Sequence, residues 1–124
     1  MKNNVIREKT YAFALRIVQL TRRLREQKEF ELAGQVLRAG TSIGANVEEA
    51  LAGISRADFI AKMSISSKEA RECHYWLRLL RDSRIRPSKE IEPLIVECES
   101  ILRILTAIVK TSQSGLNSKS KIKN

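Results

Sequence analysis

Glu69 and Glu72 are the carboxylates whose spacing comes nearest to catalysis. Three residues apart on a helix, they share a face, and Lys62, seven residues before Glu69, falls on it too. Two such carboxylates can act as general acid and general base. No nucleophile or metal ligand accompanies them, however. With Asn46 and Glu49 they read more simply as a structural ion network at a helix–helix or subunit interface. Cys73 and His74 are adjacent and point about 100° apart on a helix, so they cannot form a nucleophile–base pair. A di-metal carboxylate bundle needs Glu-x-x-His, but Arg71 stands three residues before the only histidine, His74. No metal site, cofactor or catalytic residue is expected. Gly40 and Gly44 lie inside a helical pattern and not in a phosphate-binding loop between strand and helix.

The basic residues carry more weight. Lys9, Arg16 and Arg23 recur every seven residues, and Arg22, Arg25 and Lys28 crowd the end of a first helix. Arg78, Arg81, Arg84 and Arg86 crowd the end of a third. If those helices run in the same direction, both groups meet at one end as a cationic rim suited to phosphate backbones. Lys119, Lys121 and Lys123 can add an arm. The simpler alternative is solubility, plus cations at the negative ends of two helix dipoles. No helix-turn-helix or other nucleic-acid reading module is visible.

Four helices must position these groups. Between Asp58 and Leu80 a four-three spacing runs on two neighbouring seams. One is Phe59, Met63, Ser66, Ala70, Cys73, Leu77, Leu80; the other is Asp58, Lys62, Ile65, Glu69, Glu72, Trp76, Leu79. Such spacing keeps residues on the packed side of a long helix. The pattern predicts helices from about Val5 to Glu26, Phe30 to Ala52, Ser55 to Arg84, and Ser88 to near Ser112. Gly53 is expected to cap the second helix. Ser55 is expected to cap the third, with Asp58 reaching back, and Pro87 and Ser88 to open the fourth. Leu15 and Val18 lie off the main stripe of helix one, Ile6, Phe13, Ile17, Leu20, Leu24, so its apolar surface exceeds what one neighbour covers. Gly40-x-x-x-Gly44 predicts close approach of another backbone, from this chain or a second subunit. The expected fold is all-α: an antiparallel up-down-up-down four-helix bundle over residues 1–112, with a basic, disordered tail over 113–124.

The totals agree. A chain of 124 residues suits one domain, and two prolines and five glycines offer little punctuation for an all-β fold. No apolar run of about 18 residues suggests a membrane span, and the N-terminus lacks a signal-peptide core, so the expected location is cytoplasmic. Cys73 and Cys98 are expected to be reduced core residues, bridged only if their stripes face each other closely. The net charge is 23 − 14 = +9. Residues 1–28 hold eight bases and two acids, 29–54 one base and four acids, and 55–86 eight bases and four acids.

Several runs resemble the four-helix-bundle family of 23S rRNA intervening-sequence proteins. They are Ser42-Ile43-Gly44-Ala45-Asn46-Val47-Glu48-Glu49-Ala50, Asp58-Phe59-Ile60-Ala61-Lys62-Met63, Lys68-Glu69-Ala70-Arg71-Glu72 and Tyr75-Trp76-Leu77-Arg78-Leu79-Leu80. Lys9-Thr10-Tyr11-Ala12-Phe13-Ala14 fits the first helix of that family. The resemblance implies a small bacterial bundle related to accessory proteins of diversity-generating retroelements. Those assemble as homopentamers and are thought to bind nucleic acid and a reverse transcriptase. It implies no catalytic residue, and it marks Asn46, Glu49, Asp58, Lys62, Glu69 and Glu72 as structural or interfacial.

The favoured expectation is a non-enzymatic oligomer that binds RNA or DNA through Arg16, Arg22, Arg23, Arg25, Lys28, Arg78, Arg81, Arg84 and Arg86. A ring of five copies would carry 5 × 9 = +45. The alternative is an adaptor docking an acidic partner, such as a reverse transcriptase or a ribosome-associated factor. An enzyme using Glu69 and Glu72 would need an accessible pocket and a strongly perturbed carboxylate.

Overall fold

The computed structural model describes the backbone of residues 2–123 and the side-chain environment of residues 5–115. Four helices follow one another: α1 (Lys2–Glu26), α2 (Phe30–Leu51), α3 (Arg56–Asp82) and α4 (Ser88–Lys123). Each packs on its sequence neighbours, α1 also meets α4, and the diagonal pairs stay apart. This is the antiparallel bundle that the short loops demand.

The four stripes close on one core. Phe13, Ile17, Leu20 and Leu24 of α1 meet Val36, Ile43 and Val47 of α2, Met63, Leu77 and Leu80 of α3, and Ile91, Ile101 and Leu105 of α4, all fully buried. Fully burying each such side chain contributes roughly 1.5–3 kcal/mol. Ser66 occupies a core position because its hydroxyl donates to the Ile43 carbonyl at 2.7 Å. That bond sets the register of α3 on α2. Cys73 and Cys98 are buried and unbridged. Cys98 donates to the Ala70 carbonyl at 3.3 Å. The neighbouring Cys98 thiol, helped by burial, pushes Cys73 well above the usual thiol range, which keeps it an unreactive thiol.

The helix ends hold three departures from expectation. Ser55 caps α3 by accepting from the Asp58 N–H at 3.0 Å, but the Asp58 carboxylate lies over Gly53 and makes no reciprocal bond to Ser55. Gly53 does not end α2 in the left-handed conformation, since no described glycine has positive φ. A side chain there would instead strike Asp58 Oδ2 at 2.5 Å. The left-handed turns after α1 and α3 are made by Lys28 (φ 67°) and Arg84 (φ 62°), which cost about 1–2 kcal/mol each where glycine would not. Finally, α4 remains helical to Lys123, past the expected fade near Ser112. Lysines near a helix C-terminus suit its dipole. The side chains of Lys119, Lys121 and Lys123 lie outside the described residues.

Gly40 and Gly44 face α1 of the same chain. A Cβ on Gly40 would sit 2.7 Å from Ile17 Cγ2 and 3.1 Å from Ile17 Cβ, whereas one on Gly44 would rest 3.4 Å from the Thr10 carbonyl oxygen. Gly34 has open space. Alanine gains about 1 kcal/mol over glycine in a helix, while overpacking costs about 1–3 kcal/mol. Urea unfolding should therefore show Gly34→Ala stabilising by about 1 kcal/mol, Gly44→Ala near neutral to stabilising, and Gly40→Ala destabilising by about 1 kcal/mol or more. Equal effects at all three would contradict the α1–α2 contact.

At the turn into α4, Arg86 grips Glu90 with two bonds of 2.6 Å. Arg86, aided by Arg23, holds the Glu90 carboxyl below its ordinary 4.5 despite burial. A depressed carboxylate stabilises the fold fully above about pH 4.5, and the contribution is lost as pH falls through the lower folded value. Glu90→Gln should cost about 1 kcal/mol at neutral pH and flatten the acid limb of stability against pH in urea titrations. An unchanged acid limb would show that the pair contributes nothing.

Candidate nucleic-acid interface

The loops at one end of the bundle bring the two groups of cations together. Gln27, just after α1, donates to the Ile85 carbonyl at 3.1 Å and accepts from Arg86 at 3.0 Å. The turn after α1 thus touches the turn after α3, and the ends of both helices share a rim, as their common direction requires.

The nine candidate residues divide there. Arg16 pairs with Glu97, and Arg81 with Asp82 and Glu92. Arg86 pairs with Glu90, whose Oε1 also lies 3.1 Å from Arg23 Nε, close enough for an ion pair but without the alignment of a hydrogen bond. These four cations are spent on closing the α1–α4 seam and the α3–α4 turn. Arg22, Arg25, Lys28, Arg78 and Arg84 are exposed, and among the described residues none has a carboxylate partner. Arg78 lies over the Tyr75 ring at 5.9 Å. The free part of the rim is Arg22, Arg25, Lys28 and Arg84, with Phe30 62% exposed at the start of α2.

The polar set of α2 and α3 lines one seam but is not one network. Glu69 accepts from Arg38 at 2.8 Å. Glu72 accepts from Arg38 too, and from Trp76 Nε1 at 3.3 Å. The Arg38 guanidinium holds Glu72 below the usual carboxylate range. Asn46 donates to the Ser42 carbonyl one turn back. Lys62 and Glu49 have no ion-pair partner among the described residues. Sequence reasoning matched Lys62 with the two glutamates and missed Arg38. The signal was present: Arg38 is the one base among the acids of residues 29–54, level with Glu69 and Glu72 once α2 and α3 run antiparallel.

Two further features stand apart from the rim. His74 Nε2 and Glu99 Oε2 meet at 3.0 Å across α3 and α4. An apolar cleft of about 780 Å³ opens at the opposite end, lined by Val5, Phe59, Ile104 and Ile108 among others, with Arg56 its one charged residue among those described. No group of three or more potential metal ligands converges among the described residues. No described helix is long and apolar enough to cross a membrane.

Comparison with known proteins places this geometry. The crystal structure of a protein of unknown function from the S23 ribosomal protein family of Bacteroides thetaiotaomicron VPI-5482 superposes with a TM-score of 0.85. It is 46% identical, covering 89% of this chain and 99% of that one. No curated protein matches. The family model described as 23S rRNA-intervening sequence protein matches residues 2–107, which takes in the core of all four helices. The chain therefore belongs to the 23S rRNA-intervening sequence protein family.

Proposed function

We propose that this protein is a non-enzymatic, self-associating bundle that binds RNA or DNA through its basic end. The observation that supports this most is the gathering of Arg22, Arg25, Lys28 and Arg84 on one rim, exposed and without an ion-pair partner among the described residues, while neighbouring cations are paired. Phosphate backbones satisfy such a surface and release counterions as they do. Lys28 and Arg84 keep left-handed backbones where glycine would be easier, and strain retained by two rim cations fits a binding role. The family's name links its members to an intervening sequence of 23S rRNA, which favours RNA.

Self-association rests on unspent apolar surface. Tyr11 is 65% and Leu15 52% exposed on α1, and Ile65 is 43% and Leu79 37% exposed on α3. Because α1 and α3 are diagonal, the two strips face different sides of the bundle. Different faces meet head to tail, which closes into a ring when the rotation permits. The family resemblance suggests five subunits. A general acid needs a raised carboxyl pKa, whereas Glu72 is lowered by Arg38, so structural roles suit the glutamates better than catalysis.

Charge reversal tests the rim. Arg22→Glu with Arg25→Glu should weaken binding of a labelled RNA at least about tenfold and reduce its salt dependence; unchanged affinity would undo the rim assignment. In sedimentation velocity, Leu15→Lys should convert an oligomer to a monomer. A wild-type monomer at micromolar concentration would count against the ring. A pull-down whose partners survive nuclease would point to the adaptor reading.

A further inference from the structure

The seams of this bundle differ in how they spend their cations. Arg7 pairs with Glu48 across α1 and α2, Arg38 with Glu69 and Glu72 across α2 and α3, and Arg16 with Glu97 across α1 and α4. The upper α3–α4 seam is closed by Arg81 with Glu92 and by His74 with Glu99. Its lower half is different. There Lys68 and Arg71 of α3 and Lys110 of α4 line a groove of about 220 Å³ with Ser64, Ser67 and Thr106, and no carboxylate among the described residues lines it. Among the described residues, none of the three cations has an ion-pair partner.

The hydroxyls differ as well. Thr10, Thr21, Thr41, Ser42 and Ser66 all donate to backbone carbonyls. Those of Ser64 and Thr106 make no hydrogen bond among the described residues, so they stand ready as donors beside three free cations, whereas Ser67 is buried. The flanks extend the charge. Arg103 lies two turns from Lys110 on α4, about 10.5 Å along the axis. Arg78 lies two turns from Arg71 on α3, its guanidinium 5.9 Å from the centre of the Tyr75 ring. Tyr75 is 49% exposed. Charge along two ridges, with an exposed ring on the α3 ridge between Arg71 and Arg78, is a pattern that tracks a nucleic-acid strand, cations taking phosphates and the ring a base. The groove is smaller than the roughly 300–1,000 Å³ that encloses a small ligand, which favours a polymer laid across it over a captured metabolite.

We propose that this α3–α4 groove is a second polynucleotide contact, in which Lys68, Arg71 and Lys110 hold backbone phosphates and Ser64 and Thr106 donate hydrogen bonds to them. The site rests on the nucleic-acid reading above but not on the rim residues.

The test uses the full chain and a fluorescently labelled 20-nucleotide uridine RNA, with affinity measured by anisotropy over a salt series. The variant combines Lys68→Gln, Arg71→Gln and Lys110→Gln. All three positions are exposed, so its thermal unfolding should match the wild type. With about 0.7 of slope per phosphate contact on a single strand, losing three should reduce the log affinity–log salt slope by about 2. Affinity near physiological salt should fall about tenfold or more. Tyr75→Ala alone should weaken binding with little change in slope. A triple variant with wild-type affinity and slope, while the Arg22/Arg25 reversal still weakens binding, would overturn the groove and leave the rim standing. A wild-type chain that ignores the RNA would overturn both. Binding of poly-glutamate but not RNA, lost in the triple variant, would assign the groove to an acidic protein and overturn the proposal.

Discussion

Four apolar stripes share one core, and the closeness of α2 to α1 sets how tightly that core can shut. Ile17 lies on the bare backbone of Gly40, and the Thr10 carbonyl lies beside Gly44. Glycine inside a helix is unfavourable by about 1 kcal/mol relative to alanine. The fold tolerates this because α1 can then sit deep on α2, bringing Phe13, Ile17 and Leu20 within reach of the stripes of α3 and α4. Ser66 then locks α3 to α2 through a buried hydrogen bond, and α4 closes the bundle.

Once the interior is filled in this way, the charged residues are sorted by what remains. The chain has 23 bases against 14 acids. Carboxylates at the seams draw cations from the facing helix or turn: Glu48 takes Arg7, Glu69 and Glu72 share Arg38, Glu90 takes Arg86 and Arg23, Glu92 takes Arg81, and Glu97 takes Arg16. Two groups of the cations left over stand out. One group sits on the rim where the turns after α1 and α3 touch, and another along the lower α3–α4 groove. Exposed ion pairs are worth only about 0.2–1 kcal/mol each, so pairing does little for stability; its larger effect is to determine which positive charges stay available to a polyanion.

The helices, their order and their antiparallel packing were legible in the sequence because a seven-residue repeat constrains every third or fourth side chain. Apart from Ser67, the buried residues of α3 in the structure, from Met63 through Ala70 and Cys73 to Leu80, lie on the seam read from spacing alone. The glycine pair was legible as a close approach, but its partner was not, since spacing cannot say which helix comes near. The ends were read less well. Lys28 and Arg84 adopt a backbone that their side chains disfavour, and nothing local announces that choice. The pairing of Arg38 with Glu69 and Glu72 depends on helix register, which the packed α2 and α3 stripes and the Ser66–Ile43 bond fix together. The rim was readable as a gathering of cations. Its division into paired and free members was not, because that depends on which carboxylates the facing helices bring alongside.

The central claim is that apolar surface and positive charge left over after folding serve identical copies and a polynucleotide. Native mass spectrometry of the full chain, purified without nuclease, tests this most directly because it reports stoichiometry and retained nucleic acid together. The account predicts a discrete multimer carrying mass that is removed by ribonuclease or deoxyribonuclease. A bare monomer, with no polynucleotide attached, would contradict it.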